Sequence, residues 1–176
     1  MSAPVAHAVE LQLDDAAARK VLGLLAVLEA VGVAPITAAS PHVHPHVSVA
    51  VAADESPEAV KDALVGVATA GLPPLRLSSV GAFVTPEAVV FLGVTPTAPL
   101  LELNRRVHAR LDAAKVAVWP LYRPGIWVPH CTLAMRPADL TAALSALRAA
   151  VLPIETSPVA LRIVEVPTGK PTGTIG

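Results

Sequence analysis

Two short stretches decide how the chain is read: Pro45-His46-Val47-Ser48-Val49 and Pro129-His130-Cys131-Thr132-Leu133. In each, a proline precedes a histidine, a hydroxyl stands two places on, and apolar residues fill the alternate positions. A β-strand sends residues i and i+2 to the same face. His46 and Ser48 then share a face, as do His130 and Thr132. Val47, Val49, Cys131 and Leu133 point the other way. A bare histidine–hydroxyl pair recurs by chance in a chain with 6 His. The meaning lies in the matched context and in a separation of close to half the chain.

Working outward, each phrase opens the middle strand of a five-element pattern. Apolar alternation predicts strands at 8–13, 46–52, 75–84, 88–94, 127–135 and 159–166. Helices fall between them. Asp14–Asp15 caps one on which Val21, Leu24, Leu25, Leu28 and Val31 recur at helical spacing. Ser56-Pro57 caps a second, carrying Val60, Leu64 and Val67 and ending at Gly71. Thr97 starts a third with Leu100, Leu103, Val107 and Leu111 inside. Pro137 precedes a fourth with Leu140, Leu144, Leu147 and Val151 in phase. The order is β-α-β-α-β followed by β-α-β-α-β, a duplication of pattern with the halves meeting near Pro86. The segment after Pro167 is turn-rich and is expected to be loose.

Composition narrows the function classes. The apolar fraction of 53% with a net charge of −1 excludes a disordered chain. A mean hydropathy of +0.60 raises the question of a membrane span. The charge-free stretch 30–53 answers it, because Pro35, Pro41 and Pro45 break any helix there. Without a basic leader or a long apolar run at the start, the expectation is a cytoplasmic protein. A single cysteine, Cys131, forms no internal disulfide. Thirteen Lys+Arg against 14 Asp+Glu argue against binding duplex DNA, but leave room for a small phosphorylated ligand.

At the two phrases the sequence resembles the 2H phosphoesterases, also called the 2′-5′ RNA ligase and cyclic phosphodiesterase superfamily. That family carries one His-apolar-Ser/Thr-apolar motif in each lobe. The resemblance implies a bilobal α+β fold in one domain over 1–176. Two pseudo-symmetric halves, with mainly antiparallel sheets, would flank a central cleft. It implies an enzyme that needs no metal or cofactor and opens 2′,3′-cyclic phosphates or handles 2′-5′ bonds. His46 and His130 would be catalytic, with His130 activating water and His46 protonating the departing oxygen. Ser48 and Thr132 would hold the phosphate. Histidine suits both proton transfers, since its ordinary pKa near 6.5 lets one ring be neutral and another charged.

Further candidates lie nearby. The stretch 119–127 holds Trp119, Tyr122, Arg123 and Trp127, and an aromatic beside an arginine can stack a base and hold a phosphate. Arg136 stands six places after His130, on the histidine side if the strand continues. His44 is placed at the cleft mouth. The expected partner is a small nucleotide or an RNA end, bound by a monomer. Two other readings stay open. One is a non-catalytic nucleotide- or RNA-binding module of the same fold. The other is a metallohydrolase using His42, His44 and His46 as an H-x-H-x-H ligand series. His7 and His108 are expected at the surface and Cys131 in the core.

Overall fold

The computed structural model describes residues 5–53 and 55–176. Helix α1 (Asp15–Ala30) begins where Asp14 accepts a hydrogen bond from the Ala17 amide at 2.9 Å, an N-cap that satisfies an otherwise unpaired donor. Val21, Leu25 and Leu28 form its buried stripe, while Val31, expected in phase, is about half exposed just past the last turn. Helix α2 (Pro57–Ala63) starts from Ser56 with proline in its first turn and stops earlier than expected. Turns then run to Gly71, with Gly66 and Gly71 both at positive φ. Helix α3 (Ala98–Ala113) buries Leu100, Leu103, Val107 and Leu111 as the periodicity predicts. Helix α4 (Leu140–Ala146) is short and capped by Asp139; Val151 lies beyond it and is exposed.

Among the described residues, eight strands build two four-stranded sheets in which every pairing is antiparallel. The first has the order β2 (His46–Ala52), β1 (Ala6–Gln12), β7 (Ala160–Val166), β8 (Pro171–Ile175). The second has the order β5 (His130–Ala134), β4 (Val89–Val94), β3 (Leu75–Phe83), β6 (Ile154–Thr156). The two orders are equivalent: an inner strand (β1 or β4) leads through a helix to an edge strand carrying a histidine motif (β2 or β5).

Pro86, the expected meeting point of the halves, sits in the turn between β3 and β4 of one sheet. Each half sends its last long strand into the other half's sheet. β3 leaves the first half to pair with β4, and β7 leaves the second to pair with β1. Helices cross over too, α1 packing with α4 against the second sheet and α3 with α2 against the first. The result is one continuous apolar core running through both halves. The tail expected to be loose forms β8 on the edge beside β7. Backbone pairing recruits this Thr- and Gly-rich segment, with Ile175 as its buried apolar anchor, since an edge strand needs few apolar side chains.

Both motif strands carry an irregularity at the same place. Val9 pairs with Ala50 but Glu10 pairs with Ser48, leaving Val49 unpaired as a bulge. Val90 pairs with Ala134 but Phe91 pairs with Thr132, leaving Leu133 unpaired. A bulge bends a strand and re-aims the side chains next to it. Here it follows the hydroxyl of each motif.

Candidate active site

Each motif histidine is tethered in the same way. His46 Nδ1 lies 2.6 Å from the His44 carbonyl, and His130 Nδ1 lies 2.7 Å from the Val128 carbonyl. A carbonyl only accepts, so Nδ1–H donates in both rings and Nε2 is left for other partners. The proline between tether and histidine, Pro45 or Pro129, fixes the backbone that makes this contact. His46, Ser48, His130 and Thr132 line one cleft of about 340 Å³ between the sheets. Tyr122, Trp119 and the carboxylates Glu10 and Glu165 line it too. Cys131 points away into the core, where burial pushes its thiol up to about 12.

The neighbours of the two rings differ. His46 Nε2 lies 3.1 Å from Glu10 Oε1, so both its ring nitrogens face oxygens. Glu10 stands opposite Ser48 on one side and Arg162 of β7 on the other. Burial pushes its carboxyl above the usual range, opposed by the charges of His46 and Arg162 and by the Ser48 hydroxyl. His130 is instead walled by both phenylalanines of the chain. Its ring centroid is 4.9 Å from that of Phe83, edge-on, and 5.3 Å from that of Phe91. Burial lowers its pKa, and the charge of His46 lowers it further against the pull of the Val128 carbonyl.

The flanking segment 117–127 closes the open edge of β2. The Trp119 amide donates to the Val51 carbonyl, and Trp127 Nε1–H donates to the Ser48 carbonyl at 3.2 Å. Asn104 Nδ2 bridges the carbonyls of Val49 and Tyr122 at 2.9 and 3.0 Å. His108 Nε2–H also reaches the Val49 carbonyl, at 3.3 Å. The bulge carbonyl thus finds its partners on α3.

Of the other sequence candidates, Trp119 and Tyr122 line the cleft and the rest do not. Trp127 is buried and braces the motif strand. Arg123 is spent on Asp112, with both carboxylate oxygens 2.7 Å from Nη1. Arg136 is exposed at φ +50, because β5 ends at Ala134 and strand alternation does not reach it. His42 and His44 line a small adjoining pocket on the far side of His46 and Glu10. Among the described residues no group of three His, Cys, Asp or Glu side chains is placed to hold a metal.

His7 and His108, expected at the surface, are both buried. His7 lies on the inner strand β1, and His108 extends the buried stripe of α3 by one position. Glu10, Glu165 and the two phenylalanines were not singled out from the sequence. Only Glu10 left a trace there, as the one acidic residue in its strand.

Geometry and motif together define the class. The chain belongs to the 2′-5′ RNA ligase superfamily, whose family model matches residues 24–169. Among solved structures it resembles one described as a phosphoesterase, at TM-score 0.67 and 16% identity, covering 98% of this chain and 97% of that one. It also resembles E. coli LigT in its apo form, at TM-score 0.65 and 16% identity over 99% and 96% of the two chains. LigT complexed with 3′-AMP gives TM-score 0.66 at 16% identity, over 99% and 97%. No protein of curated function matches the sequence.

Proposed function

We propose that the chain is a metal-independent phosphoesterase acting on an RNA-type linkage, a 2′,3′-cyclic phosphate or a 2′-5′ phosphodiester, by two-histidine general acid–base catalysis. One observation carries this reading: two identically tethered imidazoles, each with a hydroxyl at its side, line a single cleft. The 3′-AMP of the LigT complex supports a nucleotide as the kind of ligand such a cleft takes. The enzyme works as a monomeric single domain in the cytoplasm on a small nucleotide or an RNA end. Among the described residues no helix is long and apolar enough to cross a membrane.

For a cyclic phosphate, His130 Nε2 takes a proton from water as the water oxygen bonds to phosphorus. The bond from phosphorus to one ribose oxygen breaks, and His46 Nε2 gives that oxygen its proton. Ser48 and Thr132 donate to the non-bridging oxygens, where negative charge grows. His130 ends charged and His46 neutral, and exchange with solvent restores them. In the ligase direction the roles reverse.

The test is steady-state hydrolysis of a 2′,3′-cyclic nucleotide with and without EDTA. His46→Ala and His130→Ala should each lower kcat at least about 100-fold, the lower range for a lost acid or base. Ser48→Ala and Thr132→Val should each cost less than either histidine. Activity that survives both histidine changes, or that collapses in EDTA, would overturn the reading.

A further inference from the structure

The two motifs match in chemistry but not in what stands beside them. The inner-strand position opposite the motif hydroxyl is Glu10 in the first sheet and Phe91 in the second. The next strand across places Arg162 opposite Glu10, and Gly81 opposite Phe91. One location thus holds a carboxylate and a guanidinium in one half and a phenyl ring over glycine in the other. The Glu10 side chain is only 14% exposed. Burying a charge costs free energy that an apolar residue at the same place avoids. Packing alone favours the solution seen at Phe91. Glu10 instead sets Oε1 3.1 Å from Nε2 of His46, the nitrogen that the proposed reaction uses.

We propose that Glu10 is a positioning residue: its carboxylate orients the His46 ring with Nε2–H at the cleft, and so makes His46 rather than His130 the proton donor. This rests on the two-histidine reading above. The backbone tether occupies Nδ1 in both rings and does not distinguish them. Glu10 does, because a carboxylate accepts from Nε2–H and has nothing to offer a bare nitrogen. The other titratable or charged groups around His46 are Arg162 and Glu165 from β7, His130 from β5, Tyr122, and His42 and His44 from the loop before β2. Arg162, opposite Glu10, competes for the same negative charge. Its removal should act in the opposite sense to removal of Glu10.

The experiment is kcat/KM on a 2′,3′-cyclic nucleotide from pH 5 to 9, paired with NMR titration of the His46 ring in the free protein. The donor must hold its proton, so activity falls as pH rises through its titration. Glu10→Gln keeps the shape and removes the charge. It should move that alkaline limb down by about one pH unit, the lower range for a neighbouring opposite charge, and cut kcat/KM about tenfold above the limb. Below the limb the change should stay within about threefold, while Glu10→Asp keeps most of the limb in place.

Arg162→Gln should move the limb up, and it decides the matter if Glu10→Gln does not fold. A uniform loss at every pH with an unmoved His46 titration would make Glu10 structural only and overturn the proposal. Full activity in both histidine-to-alanine variants would remove the two-histidine reading instead. The NMR titration reports the Glu10–His46 coupling in either case.

Discussion

His130 stands against Phe83 and Phe91 with its Nδ1 committed to Val128, so water reaches it less than it reaches an ordinary surface histidine. Burial disfavours the charged ring and lowers its pKa. As the base of the proposed reaction His130 must be neutral to act, so activity falls as pH drops through that pKa. The acid limb of kcat/KM should therefore lie below 6.5, the ordinary histidine value. Phe83→Ala admits water to the ring and should move the limb back up towards 6.5, while leaving the alkaline limb where it is. A pH series on the two proteins checks this, and an acid limb in the variant at or below that of the wild type would refute it. The histidines themselves were legible in the sequence because the phrase around them repeats. Their neighbours were not. Glu10 and the phenylalanines meet the rings across strand pairings, and a register is not written in any one segment.

At the scale of elements, most strands and helical stripes could be read from periodicity, and partnership could not. The hairpin of β3 and β4 was visible as two apolar runs around Thr85-Pro86-Glu87. That β3 belongs with the second motif, and β7 with the first, depends on chain crossings that pattern does not record. β6 escaped notice at three residues between prolines, and β8 because its composition is that of turns. Arg136 was misplaced for a local reason, the end of β5 two residues before it. One position in the hairpin carries a strict demand. A Cβ on Gly81 would come within 2.8 Å of the Phe91 ring, which packs in a three-ring cluster with Phe83 and His130. Gly81→Val should press that ring onto His130. We expect a loss of about 1–3 kcal/mol of stability, the usual range for overpacking, with a fall in kcat larger than in a surface control of equal stability. Urea unfolding and steady-state kinetics on the same samples would show it; kcat at the level of that control would count against the packing argument.

Across the whole molecule, the Arg162 guanidinium, opposite Glu10 in the pocket beside His46, comes close to the cleft. The cleft lining itself includes Glu10 and Glu165 and, among the described residues, neither lysine nor arginine. Arg76, Arg105 and Arg123 are each paired with a carboxylate elsewhere, on Glu155, Glu102 and Asp112. With a net charge of −1 the chain has little bulk attraction for RNA. In the proposed reaction His46, as the proton donor, is the cation that meets the substrate phosphate, aided by two hydroxyl dipoles. One cation suits one negative charge, which is what a cyclic phosphate or a phosphodiester carries. A single neutralised phosphate on a single strand gives a salt slope of about −0.7, or roughly fivefold weaker binding for a tenfold rise in salt. Hydrolysis of the cyclic end of a 12-nucleotide RNA should follow that shallow slope. Its kcat/KM should match that of a dinucleotide with the same end to within about threefold, since the cleft lining holds no lysine or arginine for further phosphates. The monoester product carries between one and two charges at neutral pH and should inhibit more weakly at pH 8 than at pH 6, where it loses charge and the histidines gain it. Measuring both substrates at several salt concentrations, with the monoester as inhibitor at two pH values, tests the charge inventory directly. A steep slope, or a strong preference for the longer RNA, would mean that a cationic surface outside this cleft takes part in binding.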